Sequence, residues 1–262
     1  MIIKADGKDM DTILEYIGND YGKCLYIYID LKKYGFTNEN FNVWIQYNKN
    51  GEICCIISEY YKGIQLFSKN YNLVANEISE FILQRNSDVI FGMNEVINRI
   101  KEYLPEFTEE LGFVGHLTKS IDLLSNEPYS ASLDEIHEIV ELVVSDENIG
   151  KPYGFDSLYE QYYSRKVENF GRNFVLRDNS TNEIITHAGT YAELPELAIL
   201  GGVITSIPYR GHGFSKITLS SLCNELKSEG KEIFSYYYIP SAKNMHHSIG
   251  FEEIGIWAKL IK

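Results

Sequence analysis

The chain has 262 residues, enough to bury a substantial core and more than one domain usually takes. It carries 37 acidic against 24 basic side chains, a net charge of −13 shared between the halves, so no basic patch is offered to nucleic acid. No apolar run approaches the ~20 residues of a membrane helix, the N-terminus lacks a signal-peptide layout, and the cysteines at 24, 54, 55 and 223 have no metal-ligand spacing; the expectation is a cytoplasmic chain with reduced thiols, no membrane contact and no bound metal.

In the first half, Asp9 to Tyr16 reads as a helix. Phe41 to Tyr47 and Glu52 to Glu59 flank an Asn-Lys-Asn-Gly turn as a hairpin, and Gly63 to Ser68 offers another strand. A helix from Asn72 to Arg85, a strand from Asp88 to Met93 and a helix from Asn94 to Leu104 follow. Cys54 and Cys55, adjacent on a strand, point to opposite faces and read as packing residues. Pro105 to Pro128 forms the connection, with Phe113 to Leu124 apolar enough for a strand.

In the second half, Ser132 and Glu135 have the spacing of a capping box, and Ile136, Ile139, Val140 and Val143 trace one face of the helix it opens. A second helix covers Phe155 to Val167. Phe174 to Arg177, Ile184 to Tyr191 and Leu197 to Thr205 read as strands, separated by turns such as Asp178-Asn179-Ser180. After Pro208 and Arg210-Gly211-His212, a helix runs from Gly213 to about Ser228 with Leu219, Leu222, Cys223 and Leu226 at i, i+3, i+4 and i+7. Gly230 ends it. Then come a strand from Glu232 to Ile239 stopped by Pro240, a short helix from Ser241 to Ile249, Gly250-Phe251, and a last strand from Glu253 to Ile261.

The junction at 203–215 carries the chemistry. Glycines 211 and 213 let backbone approach an anion without a Cβ in the way, and the first N–H groups of the helix have no intrahelical partners and lie at the positive end of its dipole. Arg210 adds forked donors suited to phosphate oxygens. A Walker loop would end in Gly-Lys-Ser/Thr, and a dinucleotide fingerprint would carry a third glycine; here Phe214-Ser215-Lys216 follows instead.

Arg-Gly-x-Gly preceded by Val203-x-Thr205 and Pro208, and followed by helix, strand, short helix, Gly-Phe and strand, resembles the acyl-CoA pyrophosphate loop of the GNAT superfamily of N-acetyltransferases. Gly-Val-x-Thr…Pro-x-Tyr-Arg-Gly is most similar to the branch related to glycine N-acyltransferases. The resemblance implies an α/β (α+β) fold: a mixed central sheet with flanking helices over 126–262, preceded over 1–125 by a degenerate GNAT-like domain. There the loop position reads Ser-Lys-Asn-Tyr-Asn-Leu, without glycine or arginine.

By the same resemblance the acyl donor is acetyl-CoA. Its pantetheine arm is held by backbone of Val203, Ile204 and Thr205, and its pyrophosphate by Arg210, Gly211, His212, Gly213, Phe214 and Ser215, with Asn244 or Ser241 adding a contact. His246 stands where relatives place the tyrosine that protonates the departing thiolate. Glu196, then Glu193, are candidates for the base, with His187 third. Tyr236, Tyr237 and Tyr238 alternate across a strand and either line the acceptor cleft or pack. The implied protein is an N-acetyltransferase, monomer or homodimer, moving an acetyl group to a primary amine of a small molecule or amino acid by direct attack in a ternary complex. The alternative is a non-catalytic acyl-CoA-binding sensor or scaffold.

Overall fold

The computed structural model describes residues 1–119, 127–147 and 149–262. Its contacts divide the chain into two compact units, Met1–Val114 with Glu253–Lys262, and Gly115–Glu252. The boundary expected at 125/126 lies on residues outside that description, as does the end, 120–124, of the strand expected over Phe113 to Leu124.

The first unit is built on strands β1 (Ile2–Lys4), β2 (Phe41–Tyr47), β3 (Ile53–Tyr60), β4 (Gly63–Phe67) and β5 (Val89–Met93). β1 to β4 pair antiparallel in that order and β5 joins β4 in parallel. β6 (Thr108–Leu117) carries the chain on toward the second unit. The C-terminal strand, β12 (Phe251–Ile261), pairs antiparallel with β5 from Trp257↔Met93 to Ile261↔Val89, which is why Glu253–Lys262 belongs with the first unit.

Four helices cover this sheet: α1 (Met10–Ile17), α2 (Leu25–Tyr34), α3 (Ala75–Arg85) and the short α4 (Asn94–Ile97). The helix expected to Leu104 ends at Ile97 and gives way to a 3-10 turn at Lys101–Tyr103. α2 is not legible from periodicity, because its buried residues Leu25, Ile27, Ile29 and Leu31 alternate as a strand's would. Burial around a cluster of Ile13, Ile17, Ile27, Leu31, Val43, Ile45 and Phe67 settles the matter in favour of helix.

β4 and β5 stay paired from Gly63↔Val89 to Leu66↔Gly92, nearly the whole of β4. The start of α3 is also closed by the protein itself. The buried Gln46 side chain accepts from Val74 N–H at 2.9 Å and donates to Val74 O at 3.1 Å, and Glu77 in the first turn pairs with the Met1 ammonium at 2.7 Å. A carboxylate already occupies the positive end of this helix, and a phosphate there would meet repulsion.

In the second unit the strands are β7 (Tyr129–Ser130), β8 (Asn173–Arg177), β9 (Ile184–Glu193), β10 (Leu197–Thr205) and β11 (Glu232–Tyr237). β7, β8, β9 and β10 pair antiparallel in sequence, and β11 joins β10 in parallel. Helices α5 (Ile136–Val144) and α6 (Phe155–Val167) pack with Val175, Ile184 and Ile204 in one cluster. α7 (Phe214–Ser228) and α8 (Pro240–Ser248) complete the set, with Leu219, Leu222, Cys223 and Leu226 of α7 packed on Ala198, Leu200 and Ile233. Three leucines buried in this way contribute about 1.5–3 kcal/mol each, enough to anchor α7 on the sheet.

Arg177 ties β8 to α5, donating from Nη2 to Glu135 at 2.9 Å and to Glu138 at 2.7 Å. Burial alone would raise the Glu135 pKa, but hydrogen bonds from Tyr129, Arg177 and Ser132 outweigh it and hold the carboxyl down at about 2. Among the described residues, no helix is long and apolar enough to cross a membrane.

Candidate active site

β10 and β11 begin as a parallel pair and then part. Their register runs from Leu197↔Glu232 to Leu200↔Ser235, although β10 continues to Thr205 and β11 to Tyr237. The cause lies in β10, whose pairing with β9 shifts between Ile199 and Leu200 and again between Gly201 and Ile204. Within the second shift Gly202 has φ +64°, a left-handed conformation in which a side chain is strained.

Buried His187 on β9 pins this bulge. Its Nδ1 lies 2.7 Å from Gly202 O and its Nε2 2.9 Å from Asn173 Oδ1. A carbonyl only accepts, so Nδ1 carries the proton; burial lowers the pKa to about 4, so Nε2 accepts, which requires the Asn173 amide nitrogen to face it. A strand leaving its partner while still hydrogen-bonded on the other side presents backbone N–H and C=O groups along one edge, an arrangement able to hold an extended polar chain.

The glycine loop stands at the same end of β10. After Thr205 the chain makes a 3-10 turn at Ile207–Tyr209, and Gly211 and Gly213 follow with φ +83° and +84°. A Cβ at either would meet nothing within 4 Å, so glycine is required by backbone conformation and the space around the loop is open. Gly213 caps α7, whose first loop-to-helix bond is Ile217 N–H to Gly213 O at 3.2 Å; helix geometry leaves the N–H groups of Phe214, Ser215 and Lys216 without intrahelical acceptors. A hydroxyl relay fixes this corner: Ser215 Oγ bonds Thr205 Oγ1, which donates to Thr186 Oγ1 at 3.2 Å, which donates to Ile204 O at 2.7 Å. The side chains of Val203 and Ile204 point into the clusters under α7 and under α5 respectively, so these residues offer backbone, not side chain, to a ligand.

Arg210 is not the free cation its position suggests. Nε donates to Thr205 O at 2.9 Å and Nη2 to Asp146 Oδ2 at 3.0 Å, which braces the loop against the residues that follow α5. Its side chain remains 48% exposed, and the other donors of the fork are available beside the helix start. Exposed His212 and half-buried Phe214 lie within ring contact at 6.0 Å.

The structure separates the proposed proton-transfer residues from this corner. Glu196 lies in the bend before β10, where its carbonyl accepts from Glu232 N–H at 2.9 Å. That is the paired end, about 15 Å along the strand from the point of parting. Glu193 is 8% exposed and held by Arg172, with Nε and Nη2 donating at 2.8 and 2.7 Å; a carboxylate so engaged is an ion-pair partner, not a base.

His246, 3% exposed, is placed on α8 with its ring stacked on Tyr237 at 4.6 Å. Its Nδ1 donates to Ala242 O at 2.8 Å and its Nε2 accepts from Ser235 Oγ at 2.9 Å. Burial keeps it neutral, with a pKa near 4, so the histidine at the tyrosine position is a packed core ring and not an exposed acid. Asn244 is exposed on the same helix. Tyr237 is buried and Tyr238 is 54% exposed, consistent with strand alternation.

Residues overlooked in the sequence do meet at the bulge. The Tyr191 ring lies against Gly201, so closely that a Cβ there would overlap it, and a Cβ at Gly202 would meet the Tyr162 hydroxyl. Arg165 stands over Tyr191 at 5.1 Å. Burial raises the Tyr191 pKa, with Arg165 opposing, so the phenol is neutral. The signal available in the sequence was the Gly201-Gly202 doublet inside a strand, which marks close backbone approach.

No protein-family model matches the sequence, and no curated protein matches it. Solved structures do. A GCN5-related N-acetyltransferase from Sphaerobacter thermophilus shares 13% identity over 100% of this chain and 95% of its own, with a TM-score of 0.66. A GCN5-related N-acetyltransferase-like protein from Streptococcus suis shares 12% identity over 98% and 99%, with a TM-score of 0.62. A tandem GNAT protein from the clavulanic acid biosynthesis pathway shares 9% identity over 100% and 98%, with a TM-score of 0.59. At these identities the likeness is one of fold. The chain has the mixed α/β GNAT fold, and matches of this kind extend over its full length.

Proposed function

We propose that this protein is an acyltransferase that moves an acetyl group from acetyl-CoA to the primary amine of a small molecule or amino acid. The observation that carries the reading is the parting of β10 from β11 after Leu200↔Ser235, at the end of β10 where Gly211 and Gly213 open α7. Backbone of Val203, Ile204 and Thr205 lies along the freed edge to receive the pantetheine arm. The loop from Arg210 to Ser215 and the first N–H groups of α7 receive the pyrophosphate, with Asn244 on α8 as a further contact. Names of the structural neighbours support the same chemistry, and the Gly-Val-x-Thr…Pro-x-Tyr-Arg-Gly string keeps the glycine N-acyltransferase-like branch as the nearest resemblance.

Direct transfer needs a neutral amine aimed at a polarised thioester, and no protein nucleophile. N–H groups of the freed β10 edge supply the polarisation. Because Gln46 and Glu77 close the corresponding helix start in the first unit, one acyl-CoA is expected per chain.

Calorimetric titration with acetyl-CoA and coenzyme A, followed by thiol release against a panel of amines, tests this. One site per chain with thiol release for some amine supports it. Absence of binding overturns the assignment of the 203–215 corner, and binding with no release for any amine leaves a binding module in place of an enzyme.

A further inference from the structure

Tyr191 has no partner across the β9–β10 ladder. Ala192 faces Ile199 and Thr190 faces Leu200, so Tyr191 is the extra residue of a bulge on β9, an irregularity that re-aims a side chain. Here it lays the ring over the neighbouring strand. A Cβ at Gly201 of β10 would overlap Cε2, Cζ and Cδ2 of Tyr191. Gly201, unlike Gly202, has no positive φ, so the ring and not the backbone conformation requires glycine there.

Because the outer carbons of the ring lie over β10, the side chain spans the ~4.8 Å between neighbouring strands, and its hydroxyl continues past Gly201. That direction leads to the edge β11 has left after Leu200↔Ser235. The phenol is influenced there by the backbone N–H of Gly202, in the bulge of β10, and by Tyr238, which follows β11. Tyr153 and the Arg165 guanidinium, 5.1 Å over the ring, also face it, and the Tyr162 hydroxyl stands above Gly202. Among the described residues the Tyr191 hydroxyl has no hydrogen-bond acceptor, so its proton is free for a ligand.

Burial keeps this phenol protonated, while Arg165 and the Gly202 N–H favour the phenolate. A neutral group with a cation and an N–H donor placed to stabilise its anion is arranged to give a proton away. A cofactor lying along the freed β10 edge, with its pyrophosphate at the glycine loop, has its thioester toward the parting of the strands, beside Gly201 and Gly202. His246 cannot serve there, because its Nδ1 proton is held by Ala242 O and its Nε2 accepts from Ser235.

We infer that Tyr191 is the acid of the reaction: its hydroxyl, carried across β10 over Gly201, protonates the coenzyme A sulfur as the thioester C–S bond breaks. The inference rests on the acyltransferase reading above. The amine nitrogen bonds to the acyl carbon, the C–S electron pair passes to sulfur, and sulfur takes the phenol proton and leaves as the thiol. One amine proton passes to solvent, and the phenolate, steadied by Arg165 and the Gly202 N–H, recovers a proton from solvent. Gly201 is then the opening through which the ring reaches the reacting atoms.

The test reads thiol release from acetyl-CoA with hydroxylamine, a small neutral nucleophile that needs no dedicated acceptor pocket. It compares the wild type with Tyr191→Phe, Tyr153→Phe and Tyr238→Phe, with acetyl-CoA affinity by calorimetry and thermal melts in parallel. Tyr191→Phe keeps the ring over Gly201 and removes only the hydroxyl. Its kcat should fall about a hundredfold, with acetyl-CoA affinity and Tm unchanged, while Tyr153→Phe and Tyr238→Phe retain most of the turnover. A ring-fluorinated tyrosine at 191, a more acidic phenol, should be active at low pH and lose kcat at a lower pH than the wild type. Should Tyr191→Phe fail to fold, the fluorinated protein, which keeps the hydroxyl, still decides the matter.

Full turnover in Tyr191→Phe overturns the inference, as does a loss that appears only as weaker acetyl-CoA binding. A loss confined to Tyr153→Phe or Tyr238→Phe overturns it in favour of that phenol, and identical pH profiles of the wild-type and fluorinated proteins overturn proton donation. Failure of the wild type to bind acetyl-CoA or to accelerate thiol release is the separate result that removes the acyltransferase reading, and this inference with it.

Discussion

Arg210→Ala tests how the glycine loop handles charge. In the folded chain the guanidinium is shared between Thr205 O, Asp146 and, by the reading above, a pyrophosphate. A cation and an anion 4 Å apart at an effective dielectric of 20 attract by about 4 kcal/mol; with the side chain 48% exposed, screening reduces this to about 1.5–3 kcal/mol, a loss of ten- to a hundredfold in coenzyme A affinity. The substitution does more than delete a cation, because it also takes the guanidinium away from the Asp146 carboxylate, 14% exposed, beside the incoming anion.

Arg210→Ala/Asp146→Asn should therefore bind coenzyme A severalfold more tightly than Arg210→Ala alone. Neither variant should shift Tm by more than a few degrees, since a half-exposed ion pair contributes at most about 1 kcal/mol. Calorimetry on the four members of the cycle, with thermal melts as the control for folding, reads all of this. Unchanged affinity in Arg210→Ala would refute the pyrophosphate assignment, and identical affinities of the single and double variants would refute the coupling to Asp146.

Four other outcomes are expected. Glu196→Gln should leave kcat and its pH profile unchanged, because the residue lies about 15 Å from the parting of the strands; a selective loss at low pH would restore it as the base. His246→Phe should cost about 1–3 kcal/mol in denaturant unfolding, by stranding Ser235 Oγ and Ala242 O. Because burial holds His246 and His187 near 4, the unfolded chain takes up their protons first, below ~6.5; stability from these residues is full above that value and declines as pH falls toward 4, and a flat profile there would contradict the burial. Asp30 runs the opposite way. Burial raises its pKa to about 7, so its protonated form favours the fold and stability is lost as pH rises from about 4 to 7; Asp30→Asn should stabilise the protein by about 1–2 kcal/mol at pH 8 and by little at pH 4, as read by urea melts.

Much of the second unit was legible residue by residue because its signals are local. Leu197–Thr205 is a strand with the expected bounds, α7 starts one residue inside the expected span, and Arg210 to Gly213 form the loop that was read as opening this helix. Positive φ at Gly211 and Gly213 was implied by residue type alone, since few others adopt it cheaply. The same locality explains the reading of the first unit's loop as inert, although only the structure shows Gln46 and Glu77 closing it.

What the tertiary structure decided depends on partners distant in sequence. The Leu25–Tyr34 segment alternates like a strand and is a helix because burial, not propensity, selects its state. The bulge at Gly202 exists through His187, and the parting of β10 from β11 is a matter of register, which no single strand encodes. Glu196 and His246 were candidates by the family resemblance, but which end of a strand faces the site, and whether a histidine meets solvent or Ser235, are set by packing. Arg165 shows the converse: a basic residue on a helix carries no signal in the sequence, and its place over the Tyr191 ring of β9 emerges only in the folded chain. The sequence by itself thus determined the loop and the order of elements, because those follow from local backbone chemistry; burial and register, being non-local, chose the residues around them.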